Sequence, residues 1–272
     1  MRLASGCYRW AFAGAPAEVA AWAAEAAARF GGARDPNLAG ALATAAVGAW
    51  RQGDSARAIT LASRAVTLGG DRPETTRWAL DALGDASIIA GRYQQAIDAY
   101  QAAIPLSEAA GDALMLTNDT GGVALVLAYQ DDAAEATRRA DALLEKVASV
   151  ANPSTIGWAH YFAGEVRLDS RPAEALPMLR RALAEAERAG NRFLAGVTLA
   201  SLVSLEARTD DSPAALHRYA QLITFWQQTG AWTQLWIAIR SLIEALERRG
   251  QLEPAAVLYG WPPLPARGRS RS

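Results

Sequence analysis

Asp131, Asp132 and Glu135 come closest in type and spacing to a reaction centre. An Asp-Asp-x-x-Glu run inside a cavity-facing helix can hold divalent metal against a diphosphate. Here the acidic pair falls at a turn between two helical stretches. There the carboxylates act as caps, accepting hydrogen bonds from the first free amides of the next helix and favouring its dipole. The two histidines, His160 and His217, have no partners at metal-ligand spacing. No Gly-x-Ser-x-Gly elbow is present, and no Gly-rich loop ends in Lys-Ser or Lys-Thr. Lys146, the sole lysine, lies in a helical stretch without nearby glycine. The expectation is a protein without catalytic residues, metal or cofactor, hence not an enzyme.

A second set of residues has the chemistry of recognition. Trp78, Asp81, Asp85, Asn118, His160, Arg167, Ser204, Arg240, Glu244 and Glu247 recur at related places in successive helices. Together they would form a polar groove with one aromatic wall, suited to a peptide or helix carrying both charges. His160 has two readings, groove lining or a bond to a neighbouring hairpin. His217 falls on a second helix and reads as surface. Trp226, Trp232 and Trp236 cluster about the Gly230 turn and read as core.

The elements that must position these residues are announced by Ala58, Ala96, Ala136, Ala175, Ala215 and Ala255, spaced by 38, 40, 39, 40 and 40 residues. A fixed period of this size marks a stacked helical-repeat array. Apolar residues recur at three- and four-residue spacing between Gly, Asp and Pro breaks. They predict a lead-in helix at 17–30 and then six helix pairs. First helices are expected at 37–52, 74–90, 113–130, 154–168, 191–209 and 231–249. Their partners are expected at 54–68, 93–110, 132–150, 172–189, 212–228 and 253–259. Turns this short force antiparallel neighbours. The fold class is all-α, a right-handed superhelical solenoid of about six helix hairpins. Residues 1–16 read as an irregular N-terminus, 17–261 as the repeat domain and 262–272 as a disordered Pro/Arg/Ser tail.

These units resemble the tetratricopeptide repeat, which has a small residue at position 8, alanine at 20, a bulky residue at 24 and alanine at 27. Gly84, Ala96, Tyr100 and Ala103 match best, preceded by Leu83. Ala46, Ala58, Ala62 and Ala65 form the first unit, and Ala163, Ala175, Leu179 and Ala182 the fourth. Val203 departs at position 8 of the fifth unit. The longer forty-residue units are similar to the C-terminal repeat region of large actinobacterial regulators that join a signal-transduction ATPase to a LuxR-type DNA-binding end. The resemblance implies a scaffold for a protein or peptide segment in signalling or transcriptional regulation. Its alternative is a small-molecule effector sensor, and remotely an α/α-barrel enzyme.

Charge narrows the partners further. The formal net charge is -1, so no basic field draws nucleic acid or an anionic membrane. One cysteine, Cys7, excludes an internal disulfide. No apolar run reaches a membrane-spanning length. Cytoplasmic location is the expectation.

Overall fold

A computed structural model describes residues 2–14, 17–31, 37–70, 72–208 and 213–260. Residues 209–212, between the helices expected at 191–209 and 212–228, and the tail expected at 262–272 lie outside the described residues. Two short helices, α1 (Arg2–Gly6) and α2 (Tyr8–Phe12), precede the lead-in helix α3 (Ala17–Phe30). Six hairpins follow: α4 (Leu38–Arg51) with α5 (Ser55–Gly69), α6 (Pro73–Ile89) with α7 (Tyr93–Ala109), and α8 (Ala113–Tyr129) with α9 (Ala133–Val147). The series continues with α10 (Pro153–Glu165) and α11 (Pro172–Ala189), α12 (Arg192–Glu206) and α13 (Pro213–Thr229), and α14 (Trp232–Arg248) and α15 (Leu252–Tyr259). The architecture is an all-α, tetratricopeptide-like solenoid.

Local chemistry sets the boundaries. Asp54, Asp112, Asp132, Asn152 and Asn191 each accept from the amide three residues on, at 3.0–3.3 Å. Such caps contribute about 1 kcal/mol each. Asp131 sits at φ 64, where Gly91 sits at φ 69 in the preceding hairpin. Asp131 thus reverses the chain and Asp132 caps, so the acidic pair belongs to a turn. Pro153 and Pro172 open their helices, where no amide proton is needed.

The alanine ladder is the hairpin seam. All six alanines are buried, none more than 3% exposed. In the second unit Tyr100 of α7 is wedged between Gly84 of α6 and Gly122 of α8. A Cβ at Gly84 would stand 2.5 Å from Tyr100 Cε1, and one at Gly122 would stand 2.7 Å from Cε2. Only hydrogen fits at either position.

Two features of the assembled chain were outside the sequence expectation. The N-terminal residues are helical, and Tyr8, Ala11 and Phe12 of α2 are at most 3% exposed. Their side chains fall one turn apart and seat α2 against the array, while α1 buries Ser5. The curl of the hairpins also brings α14 against α4, where Thr233 Oγ1 donates to the Trp50 carbonyl across 183 residues of sequence. The first helices therefore surround a lumen. Among the described residues no helix is long and apolar enough to cross a membrane.

Candidate functional site

The N-terminal segment crosses the concave side and touches first helices of five hairpins. Thr44 of α4 donates to the Ala4 carbonyl at 3.1 Å. Tyr8 stacks on Trp78 of α6, with centroids 5.5 Å apart and planes 10° from parallel. Its hydroxyl donates to Asp81, whose other oxygen accepts from Asn118 Nδ2 of α8. Arg9 pairs with Asp112, the α8 cap, which also pairs with buried Arg77 at 2.9 Å. Phe12 packs on Trp158 of α10 at 5.5 Å. The Ala13 carbonyl accepts from the Phe193 amide of α12 at 3.5 Å. Aromatic pairs of this kind add about 0.5–1.5 kcal/mol each beyond their buried area.

Arg51 clamps the end of the segment. Its two terminal nitrogens donate to the Ala11 and Phe12 carbonyls at 2.6 and 2.7 Å. The guanidinium lies over the Phe193 ring at 4.1 Å and near Trp50 at 5.4 Å. Burial lowers Arg51 to about 10, so it stays a cation at neutral pH. Two charge-assisted hydrogen bonds and a cation–π contact thus converge on one side chain.

Next to Asp81 stand Asp85 of α6 and Asp119 of α8. Asp85 accepts from Tyr100 at 2.7 Å and Asp119 from Ser107 at 2.8 Å. Burial is the largest cause of the raised pKa of all three carboxyls, and Asp81 is pushed up to about 6. The Tyr8 and Tyr100 hydroxyls are raised as well, first by burial and then by the adjacent carboxylates. Both phenols therefore stay protonated and act as donors.

Of the residues placed in the groove from sequence, Trp78, Asp81, Asp85 and Asn118 are brought together here. His160, Arg167 and Ser204 separate from them. His160 has Arg181 and Glu185 of α11 as electrostatic neighbours, and burial lowers its pKa. The cause is the phase of α10. Gly157 and Gly164 let that face close on Glu185 and Leu179 of α11, which turns Trp158, Tyr161, Phe162 and Glu165 to the lumen. Arg167 lies beyond the end of α10, where helical phase no longer applies. It is buried, bonded to the Ala163 carbonyl at 3.0 Å and paired with Asp141 and Glu174. Ser204 is half-buried and bonded to Tyr219. Arg240, Glu244 and Glu247 are exposed along one face of α14.

Sequence reading missed Tyr8, Arg9, Phe12, Arg51 and the α10 aromatic stripe. The signal for the segment was present in Tyr8, Ala11 and Phe12 at helical spacing. For α10 it was the 158, 161, 162, 165 pattern. His217 is exposed and within 3.3 Å of Gln221, and Trp226 is buried between Phe193 and Phe225.

No family model and no curated protein matches the chain. Among solved structures it is similar to the "Crystal Structure of Rap Protein Complexed with Competence and Sporulation Factor". That likeness has a TM-score of 0.62 at 14% identity, over 81% of this chain and 72% of that one. The shared feature is the fold, a tetratricopeptide-like helical repeat.

Proposed function

We propose that the protein is a non-enzymatic recognition scaffold that binds a peptide or helical segment of a partner protein along its concave face. Residues 2–14 carry this reading: five hairpins already hold a short helical segment there through aromatic, carboxylate and arginine side chains. That segment is an intramolecular occupant, and a partner segment presenting an aromatic, an arginine and a second aromatic in the same order competes with it. Trp78, Asp81, Asp85 and Asn118 form the central recognition surface, and Arg240, Glu244 and Glu247 extend it on the last hairpin. His160, Arg167 and Ser204 serve hairpin contacts instead. The Rap protein of similar fold is complexed with Competence and Sporulation Factor, which agrees with recognition by such an array. We place the function in signalling or transcriptional regulation in the cytoplasm, without direct contact to nucleic acid or membrane.

Occupancy in cis lowers the apparent affinity for a ligand in trans by the fraction of free groove. The test titrates a fluorescein-labelled peptide of residues 2–14 into the full-length protein and an Arg9→Ala/Phe12→Ala variant, read by anisotropy. The variant is expected to bind at least about tenfold more tightly than wild type, the gain that loss of about 1.4 kcal/mol of cis contact supplies. Adding Trp78→Ala should abolish that gain. No binding to a variant with a native circular dichroism spectrum sinks the reading.

A further inference from the structure

Beneath the N-terminal segment the lumen forms an open-mouthed cavity of about 180 Å³. An apolar cavity of about 150 Å³ accommodates a benzene-sized ligand. Of the 21 residues around it, nine are aromatic, and they come from the segment and from five hairpins. Only two of the lining residues are charged, Asp85 of α6 and Glu165 of α10, and both are acidic. Neither carboxyl takes part in an ion pair among the described residues. Each is held by a neutral hydroxyl, Asp85 by Tyr100 and Glu165 by Ser201.

This is an uncommon lining for a purely packed core. An apolar interior gains nothing from two carboxyls outside ion pairs, because removing them from water costs free energy that the charges of Arg51 near Asp85 and Arg208 near Glu165 offset only in part. Burial is the first cause of the raised pKa of both groups, so the lumen disfavours their charged forms. Aromatic faces carry negative electrostatic potential, which adds to that of either carboxyl once a cation beside it holds it ionised. An anion is repelled by every charged or aromatic face of this wall. A neutral apolar ligand leaves the carboxyls uncompensated. A cation with an apolar body satisfies both parts.

We infer that the lumen is a binding site for a small organic cation, an ammonium or guanidinium group on an aromatic or branched apolar body. The positive group meets Asp85 or Glu165, and the body packs against Trp158, Phe162 and Phe193. The site shares Asp85 and Asn118 with the surface holding residues 2–14 and is roofed by Phe12, while Tyr161 and Glu165 belong to the lumen alone. Glu165→Gln therefore probes this site without touching the proposed peptide surface, and Trp78→Ala does the reverse.

The experiment uses the full-length protein and three probes of similar size: 2-phenylethylammonium, 2-phenylethanol and 3-phenylpropionate. Trp50, Trp158 and Trp226 line the cavity, so tryptophan fluorescence reports occupancy, and calorimetry supplies the affinity. The expected result is saturable quenching by the cation and none by the anion, with the alcohol at least tenfold weaker. Asp85→Asn or Glu165→Gln should weaken the cation by about tenfold, the range of one charge-assisted interaction. Glu187→Gln, an exposed carboxyl of α11 outside the lumen, should leave affinity unchanged. Circular dichroism melts establish that each variant is folded. Equal binding of all three probes, no saturable response to the cation, or an affinity indifferent to both lumen substitutions would each overturn the inference.

Discussion

Replacing Gly84 by alanine tests the seam on which the repeat depends. Two effects oppose each other. Alanine in a helix interior is favoured over glycine by about 1 kcal/mol. Against this, the new Cβ would lie 2.5 Å from Tyr100 Cε1 and 2.6 Å from Cζ. Ordinary contact begins at 3.4 Å, so the ring must retreat by about 0.9 Å. It has nowhere to go, because Gly122 of α8 closes its other edge and Asp85 holds its hydroxyl. Overpacking of this kind costs typically 1–3 kcal/mol, more than the propensity gain in most of that range. The net expectation for Gly84→Ala is a loss of about 1 kcal/mol, the middle of the difference. For a chain of this size that lowers the melting temperature by about 2–4 °C. The assay is thermal unfolding by far-ultraviolet circular dichroism, run also in a Tyr100→Ala background where the ring is gone. There Gly84→Ala should be neutral or stabilising. A higher melting temperature for the single variant, or the same loss in both backgrounds, would refute the argument.

Two further outcomes follow from the groove. Arg51→Met removes both carbonyl bonds to residues 11 and 12 while keeping much of the side-chain volume. Deuterium uptake over residues 2–14 should rise at least about tenfold in rate, since hydrogen bonds from a charged donor contribute about 1.5–3 kcal/mol each. Uptake in α9 should stay unchanged, and unaltered exchange over residues 2–14 would remove Arg51 from its role as clamp. Asp81 predicts a pH dependence with a definite sign. Its folded pKa of about 6 lies above the unfolded value of about 3.9, so the folded chain holds this proton more tightly. Its contribution is therefore fully present below about pH 4 and is lost as pH rises through 6. Wild type should accordingly lose stability relative to Asp81→Asn across that window, by at most about 1.4 kcal/mol per pH unit. Melting temperatures of the two proteins measured from pH 4 to 7 check this, and parallel curves would contradict it.

Much of the solenoid was legible because its determinants are local. A cap such as Asp132 acts within three residues, and Asp131 reverses the chain by its own backbone conformation. The ladder from Ala58 to Ala255 is equally direct, since a seam that admits only small side chains leaves the same residue at every repeat. Helix limits, hairpin pairing and the capping role of the acidic pair therefore followed from sequence. The groove followed only in part. Counting register grouped Trp78, Asp81, Asp85 and Asn118, which α6 and α8 bring close together. The fold sets His160 against α11, where Gly157 and Gly164 let α10 approach closely, and Arg167 beyond the end of α10.

The sequence by itself determined a repeated helical hairpin, its seam and its turns, since each is settled by groups within a few residues or by strict repetition. Tertiary structure alone decided what the concave side contains. The place of Tyr8, Arg9 and Phe12 depends on side chains from five hairpins, and the contact of α14 with α4 joins residues 183 apart. The same convergence leaves Asp85 and Glu165 as the only charged side chains among the described residues lining an aromatic lumen. No window along the chain contains both, because they become neighbours of one cavity only when the array curls.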